Sequence, residues 1–172
     1  MSDPERDSVF ELVTVREIPL EDIPDDKLMA LYRYWKARKQ ERAFALREEL
    51  DPVDIPELLG SVRLVDIEDG GVFRFRLYGT SAANPDQVDM TGKTTRDYPT
   101  KEFGDLVTAH YAQVASDGVG RCWFIDSTVG GEKYTYFRIV LPISRSGTEV
   151  DALLVSSKRS EYPFEEPRFS RS

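Results

Sequence analysis

Apolar and polar positions alternate along five short stretches of the chain, as is typical of β-strands. Three of them follow one another in the second half, at 120–128, 133–144 and 150–158, and glycine-containing turns join them. Two more, at 61–68 and 72–78, flank Gly70-Gly71. A less regular run at 9–15 could add a short edge strand. Short glycine turns between such runs indicate antiparallel neighbours, so we expect one five-stranded antiparallel sheet in an α+β fold.

Two stretches have the spacing of amphipathic helices. In the first, Asp25 or Asp26 can cap a helix that runs to about residue 45. Its apolar stripe consists of Leu28, Leu31, Tyr32 and Trp35. The second predicted helix runs from about 100 to 117 and stops at Gly118. We expect helices on one face of the sheet and the N-terminal helix as an addition.

The alternation also predicts which side chains share the concave face of the sheet. We expect this face to pack on the second helix and on the breaker-rich segment 81–100, and a small ligand could lie beneath that segment. A core filled by the aromatic side chains is an equal alternative. The candidate pocket residues are Phe75, Leu77, Phe103, Val107, His110, Phe124, Phe137 and Ile139.

The opposite face is predicted to be rich in arginine and aromatic residues, which are enriched in interface cores. Either the chain's own N-terminal helix or the same helix of a second copy could cover it, and we expect a homodimer. The candidate interface residues are Leu28, Tyr32, Trp35, Arg74, Arg76, Trp123, Tyr134, Tyr136 and Arg138.

The composition excludes several classes of protein. The chain has 172 residues, which suits one domain, and a formal net charge of −8, which argues against nucleic acid as a partner. No apolar run is long enough for a membrane span, and the charged N-terminus does not resemble a signal peptide. One cysteine, Cys122, precludes an internal disulfide. We therefore expect a cytoplasmic protein.

Several motifs resemble those of the PAS sensor fold. Leu141-Pro142-Ile143, a turn at Gly147 and the run 150–155 look like the closing hairpin of PAS domains. The stretches 31–35 (LYRYW), 51–59 (DPVDIPELL), 73–80 (FRFRLYGT) and 89–92 (DMTG) are similar to a family of largely uncharacterised PAS-like proteins of alphaproteobacteria. The resemblance covers about residues 25–158. It implies a PAS-like fold, and PAS domains commonly form dimers.

Few residues are candidates for cofactor chemistry. His110 lies on the predicted inner face of the second helix, where PAS haem sensors carry their iron ligand. A hydrogen-bonded core histidine is the simpler interpretation, so no cofactor is expected and haem through His110 is kept as the alternative. Cys122 superficially resembles the cysteine of flavin-binding light sensors, but the asparagine of that motif is missing. We expect no metal site.

No residue pattern typical of a catalytic site is present. The chain has one histidine and no glycine-rich phosphate loop followed by lysine, and its strand carboxylates, such as Asp66, Glu68 and Asp126, are not fixed as an acid–base pair. We therefore expect a protein that is not an enzyme.

These patterns predict a stand-alone bacterial PAS-like sensory module that binds a small apolar ligand and passes a signal to a separate protein. A ligand-free dimerisation or docking protein is the first alternative, and an enzyme on a related cone-shaped sheet is the second. The expected organisation is a polar N-terminal extension at 1–24, one domain at 25–158 and a polar tail at 159–172.

Overall fold

Strands from both halves of the chain join in one sheet. In the computed structural model, which describes residues 9–58, 60–79 and 84–160, this sheet has seven strands. They are β1 (Phe10–Ile18), β2 (Ala45–Leu46), β3 (Val62–Glu68), β4 (Val72–Tyr78), β5 (Arg121–Val129), β6 (Glu132–Ser144) and β7 (Ala152–Arg159). The two helices of the described residues are α1 (Asp26–Lys39) and α2 (Lys101–Asp117). Predictions that concern 1–8, 59, 80–83 and 161–172 lie outside the described residues.

The five predicted strands are confirmed, but the sheet is larger than predicted. Its order is β1-β5-β6-β7-β3-β4, and all neighbours on this path are antiparallel. The short β2 pairs in parallel with the end of β6. β1 pairs with β5 along nearly its whole length, so the short edge strand suggested at 9–15 is confirmed and extends to Ile18.

The helix α1 packs against its own sheet. The Asp25 side chain accepts a hydrogen bond from the Leu28 amide at 2.9 Å and caps the helix, as predicted. The helix ends at Lys39, not near residue 45, and Ala45 already pairs with β6. Across the layer, Trp35 Nε1 donates to the carbonyl oxygen of Pro142 at 2.9 Å. The apolar stripe of α1 is therefore covered within one chain.

The helix α2 covers the other face of the sheet. It ends at Gly118, whose left-handed φ of 70° lets its N–H bond to the Val114 carbonyl. The sheet is thus enclosed between α1 and α2, and of the two covers predicted for the face opposite α2, the chain's own N-terminal helix is the one found. Enclosure on both sides explains why most residues of β6 are buried.

A β-bulge near the end of β4 changes which face its side chains occupy. Leu64 pairs with Leu77 but Val65 pairs with Phe75, so Arg76 is the extra residue of the bulge. An extra residue shifts the alternation by one position. Phe75 and Tyr78 therefore lie on the α2 side, whereas Leu77 lies on the α1 side.

The predicted faces of β5 and β6 are reversed in the structure. Both strands are buried on both sides, so alternation alone could not distinguish the side of α1 from the side of α2. Phe124, Phe137 and Ile139 pack with the α1 layer. Trp123, Tyr134 and Tyr136 pack with the α2 layer, and Arg138 contacts rings of that layer. The assignment of these residues to a concave and an outer face was wrong.

Candidate functional site

Two fully buried arginines lie among aromatic side chains between the sheet and α2. We call this group the arginine–tyrosine cluster. Its members are Arg63, Tyr78, Tyr98, His110, Tyr111, Tyr136 and Arg138. β3, β4 and β6 contribute four of them, α2 contributes two, and the turn before α2 contributes Tyr98.

Arg138 reaches the cluster because its neighbours in β6 point the other way. Phe137 and Ile139 pack toward α1, so the alternation of the strand directs Arg138 toward α2. Its Nη1 lies 2.8 Å from His110 Nδ1, and its Nη2 donates to the Tyr136 hydroxyl at 3.1 Å. Its Nε is buried and has no hydrogen-bond partner.

Arg63 occupies the same face of the sheet on β3. It pairs with Tyr78 on β4, and its guanidinium carbon lies 5.6 Å from the centre of that ring. Its Nη2 donates to the Ser157 hydroxyl. Both its Nε and its Nη1 are buried without a hydrogen-bond partner. Arg63 is therefore the less satisfied of the two arginines.

Neither arginine is in an ion pair with a carboxylate of the described part of the chain. The ion pairs of the described residues involve other basic side chains, such as Arg76 with Asp66 and Arg145 with Asp151. A guanidinium remains protonated in proteins, so both buried groups carry a positive charge. Removing an ion from water without a counter-ion costs on the order of several kcal/mol. The cluster therefore holds two positive charges that no carboxylate of the described residues compensates.

Tyr111 adds a further unsatisfied polar atom. It is fully buried on α2, and its hydroxyl has no hydrogen-bond partner. Burial raises the pKa of Tyr111, while the charges of Arg63 and Arg138 act in the opposite direction. The hydroxyl is thus protonated at neutral pH and lies close enough to both arginines for their charges to act on it.

A second set of hydroxyl groups connects the cluster to the segment before α2. The Tyr78 and Tyr98 hydroxyls lie 3.1 Å apart, and Asn84 Nδ2 donates to Tyr78 at 2.9 Å. Burial raises the pKa of Tyr98 well above its usual value. These three residues are buried and satisfy one another's hydrogen-bonding groups, so they form a polar border of the cluster.

His110 is held as a neutral ring. Arginine can only donate, so Nδ1 of His110 is the acceptor and the remaining proton lies on Nε2. The ring stacks on Trp123 with the centroids 3.8 Å apart and the planes 2° apart. Burial and the adjacent Arg138 charge lower the pKa of His110 to about 2. One ring nitrogen is therefore already engaged by Arg138, and the expected absence of haem stays a prediction.

The predicted pocket residues divide between the two layers. Phe75, Phe103, Val107 and His110 lie on the α2 side, as expected. Leu77, Phe124, Phe137 and Ile139 pack on the α1 side. Arg63, Tyr78, Tyr98 and Tyr111 were missed as pocket residues. A charge at position 63 within the otherwise apolar stretch VRLV, at 62–65, was the available sequence signal.

Most of the predicted interface residues are buried within the chain and leave no surface for a partner. Three of them belong to α1 and face the sheet: Leu28, Tyr32 and Trp35. Four others are buried on the α2 side: Trp123, Tyr134, Tyr136 and Arg138. Only Arg74 and Arg76 reach solvent, and both pair with carboxylates of β3. The predicted interface is therefore wrong at the seven buried positions.

The cysteine and the carboxylates of the described residues do not form a second candidate site. Cys122 is fully buried in the α1 layer, and burial, together with the charges of Asp25 and Glu17, raises the pKa of its thiol to about 12. Within residues 9–58, 60–79 and 84–160, no group of three or more His, Cys, Asp or Glu side chains is placed to hold a metal ion.

Comparison with known proteins identifies the family. A model of the PAS domain matches residues 24–125, which is more than half of the chain. The chain belongs to the PAS domain family. PAS domains are generic sensory and interaction modules and are typically not enzymes. The matched region of this PAS domain includes Arg63, His110 and Tyr111, whereas Arg138 follows it.

The other comparisons add no relative. The chain matched none of the curated proteins and none of the solved structures with which it was compared. In the part of the chain that the structure describes, no helix is long and apolar enough to cross a membrane.

Proposed function

We propose that this PAS domain is a ligand-binding sensor whose ligand lies between the sheet and α2 and whose signal passes to another protein. One observation carries the proposal: buried polar atoms of Arg63, Tyr111 and Arg138 have no partner in the same layer. Buried polar groups of native proteins are nearly always hydrogen-bonded, so each exception requires an explanation. A bound molecule that supplies the missing partners is the simplest one.

The arrangement also provides a route for a signal. Two of the unsatisfied side chains, Arg63 and Arg138, lie on the sheet, and the third, Tyr111, lies on α2. A ligand that is hydrogen-bonded to both the sheet and α2 would favour one distance between α2 and the sheet. A ligand shifts a conformational equilibrium only through its different affinities for the two states, and contacts to both elements provide such a difference. The polar atoms favour a polar ligand over the largely apolar one predicted from the sequence.

Catalysis by the cluster is not part of the proposal. A general base works best when its pKa is near the operating pH. Burial and the charge of Arg138 keep the pKa of His110 near 2, and its Nδ1 accepts a hydrogen bond from Arg138. The tyrosines are protonated, since burial raises the pKa values of Tyr98, Tyr111 and Tyr136. These groups can bind and orient a molecule but supply no base at neutral pH.

A second candidate function, a dimerisation or docking platform, is favoured by the edge of β1. Among the described residues, β1 has a strand neighbour on one side only. Its Leu12 and Val13 are exposed, as is Val9 just before it. At the other edge of the sheet, the segment 92–94 bonds to Phe75 of β4. An uncovered edge strand is a template for pairing with another chain. The homodimer thus stays a prediction, with β1 as the surface in place of the residues predicted from the sequence.

Two measurements test the sensor proposal. The full chain is purified, and its mass is compared under native and denaturing conditions to find a small molecule that co-purifies. Thermal unfolding is then followed with a library of neutral, cationic and anionic compounds. We expect at least one compound to raise the unfolding temperature in a saturable manner. A chain that carries no molecule and responds to no compound would favour the docking platform.

A further inference from the structure

We propose that the ligand of this PAS domain is a small oxyanion, with a carboxylate or phosphate group bound by Arg63, Arg138 and Tyr111. This inference rests on the proposed sensor function and specifies the chemistry of its ligand. The missing partners belong to Arg63 Nε and Nη1, Arg138 Nε and the Tyr111 hydroxyl. These are four atoms on three elements, β3, β6 and α2.

The chemical character of these atoms selects the ligand. The three guanidinium nitrogens can only donate hydrogen bonds, and the tyrosine hydroxyl can donate as well. A cation would find no acceptor among the three nitrogens and would be repelled by two positive charges. A neutral molecule could accept hydrogen bonds but would leave both charges without a counter-ion. An oxyanion meets both requirements, since its several lone pairs accept from several donors.

The surroundings increase the effect of the charges. The guanidinium carbon of Arg138 lies 5.6 Å from the ring centre of Phe103 and 5.2 Å from that of Tyr136. Arg63 lies beside the ring of Tyr78. Aromatic walls exclude water, so an anion between the arginines would interact with them in a medium of low dielectric constant.

Arginines elsewhere in the described residues show that the lack of a counter-ion is local, although Arg121 also has a buried Nε without a hydrogen-bond partner. Arg74 pairs with Glu68, Arg76 with Asp66, and Arg121 with Glu17 and Asp117. The protein as a whole has more acidic than basic residues. A buried pair of arginines without carboxylates is therefore specific to this layer and does not reflect a shortage of acidic side chains.

Thermal unfolding with defined anions tests the inference. The full chain is purified in a Tris–chloride buffer free of carboxylates and other oxyanions. The probes are acetate, malonate and succinate in one series and inorganic phosphate in another, with sodium chloride at matched ionic strength and malonamide as the neutral analogue. We expect a saturable rise of the unfolding temperature with one series and none with chloride or malonamide. The responding series distinguishes a carboxylate ligand from a phosphate ligand.

Matched variants separate site binding from a general salt effect. Arg63→Met and Arg138→Met remove the charge but keep an unbranched side chain of the core, whereas Arg33→Met removes an exposed arginine of α1. We expect each core variant to weaken the response about tenfold or more, and Arg33→Met to retain it. Both core variants remove a buried unpaired charge, but Arg138→Met also leaves His110 Nδ1 without its donor, so Arg63→Met should be the more stable of the two without an oxyanion.

Tyr111→Phe keeps the test decisive where an arginine variant does not fold. The substitution removes one hydroxyl that has no partner in the protein, so stability without an anion should change little. We expect anion affinity to fall about fivefold to tenfold, as for a hydrogen bond to a charged group. Equal responses of Tyr111→Phe and the wild type would contradict the assigned donor.

The two proposals fail in different ways. Stabilisation by neutral compounds but by neither anion series would refute the oxyanion and leave the sensor function intact. A response to no compound of any charge would refute both. A response that is equal in Arg63→Met, Arg138→Met and the wild type would assign the anion effect to general salt stabilisation and refute the site.

Discussion

Nη1 of Arg138 donates a hydrogen bond to Nδ1 of His110 across 2.8 Å, which joins β6 to α2 at the centre of the buried layer. The bond forms only with a neutral imidazole, because a protonated ring has no acceptor nitrogen. The His110–Trp123 stack holds the ring in place. The single histidine of the chain is thus part of the arrangement that positions an arginine of the candidate site.

This bond predicts a histidine that does not titrate in the folded protein. The pKa of His110 is lowered from 6.5 to about 2, first by burial and then by the Arg138 charge. Because the chain has one histidine, its imidazole resonance in an NMR spectrum is unambiguous. We expect that resonance to stay constant between pH 5 and pH 8. A titration midpoint within this range would contradict the buried neutral ring.

The same shift predicts how stability depends on pH. Below pH 6.5 the unfolded chain takes up a proton at His110, whereas the folded chain does so only near pH 2. The stability contributed by the neutral ring is therefore complete above pH 6.5 and decreases as the pH falls toward 2. Linkage gives a loss of roughly 2 kcal/mol between pH 6.5 and pH 5. Denaturant unfolding of the wild type and of His110→Asn measures this loss, which the variant should lack.

The packing of α1 on its own sheet predicts that the contact between Trp35 and Pro142 stabilises each single chain. Trp35 is buried and bonds to the Pro142 carbonyl of β6 in the same chain. Trp35→Phe removes this bond and leaves the carbonyl unsatisfied, so we expect a loss of about 1–3 kcal/mol in the free energy of unfolding. The loss caused by Trp35→Phe should be the same at one and at one hundred times a given protein concentration, because the bond lies within one chain. A loss that changes with concentration would show that the helix packs across a dimer.

Gly104 is required for the close approach of α2 to the turn Thr95–Asp97. A Cβ atom at this position would lie 2.8 Å from the Thr95 carbonyl oxygen. Alanine normally stabilises a helix by about 1 kcal/mol relative to glycine. We expect the opposite sign for Gly104→Ala, a loss of about 1–3 kcal/mol through overpacking. Ser116→Ala, at an exposed position of the same helix, is the control and should be neutral or slightly stabilising in the same unfolding measurement.

Cys122 should be chemically inert in the folded protein. The thiolate is the reactive form of cysteine, and burial raises the pKa of this thiol to about 12. A thiol-specific reagent such as dithionitrobenzoate should therefore modify Cys122 only after unfolding. Stoichiometric modification of the native protein within minutes would show that the α1 layer opens at this strand.

The sequence alone determined the elements of this protein. Alternation and glycine turns gave the five core strands, and Asp25 and Gly118 marked where α1 begins and α2 ends, because caps and turns depend on local chemistry. The predicted PAS family was confirmed by the family model at 24–125. The length of α1 was overestimated because its polar continuation still has the composition of a helix, whereas the structure places Ala45 beside β6.

Only the tertiary structure decided which face each side chain occupies and what surrounds it. Strands covered on both sides show no polar face in their sequence, so Phe137 and Arg138 of β6 could not be assigned from alternation. The bulge at Arg76 inverted the end of β4 through an extra residue that a sequence pattern does not reveal. Whether Arg63 and Arg138 have a counter-ion depends on side chains from distant parts of the chain. The sequence shows that both arginines are present. That they lie beneath α2 without a counter-ion, on which the proposed ligand depends, is a property of the folded structure.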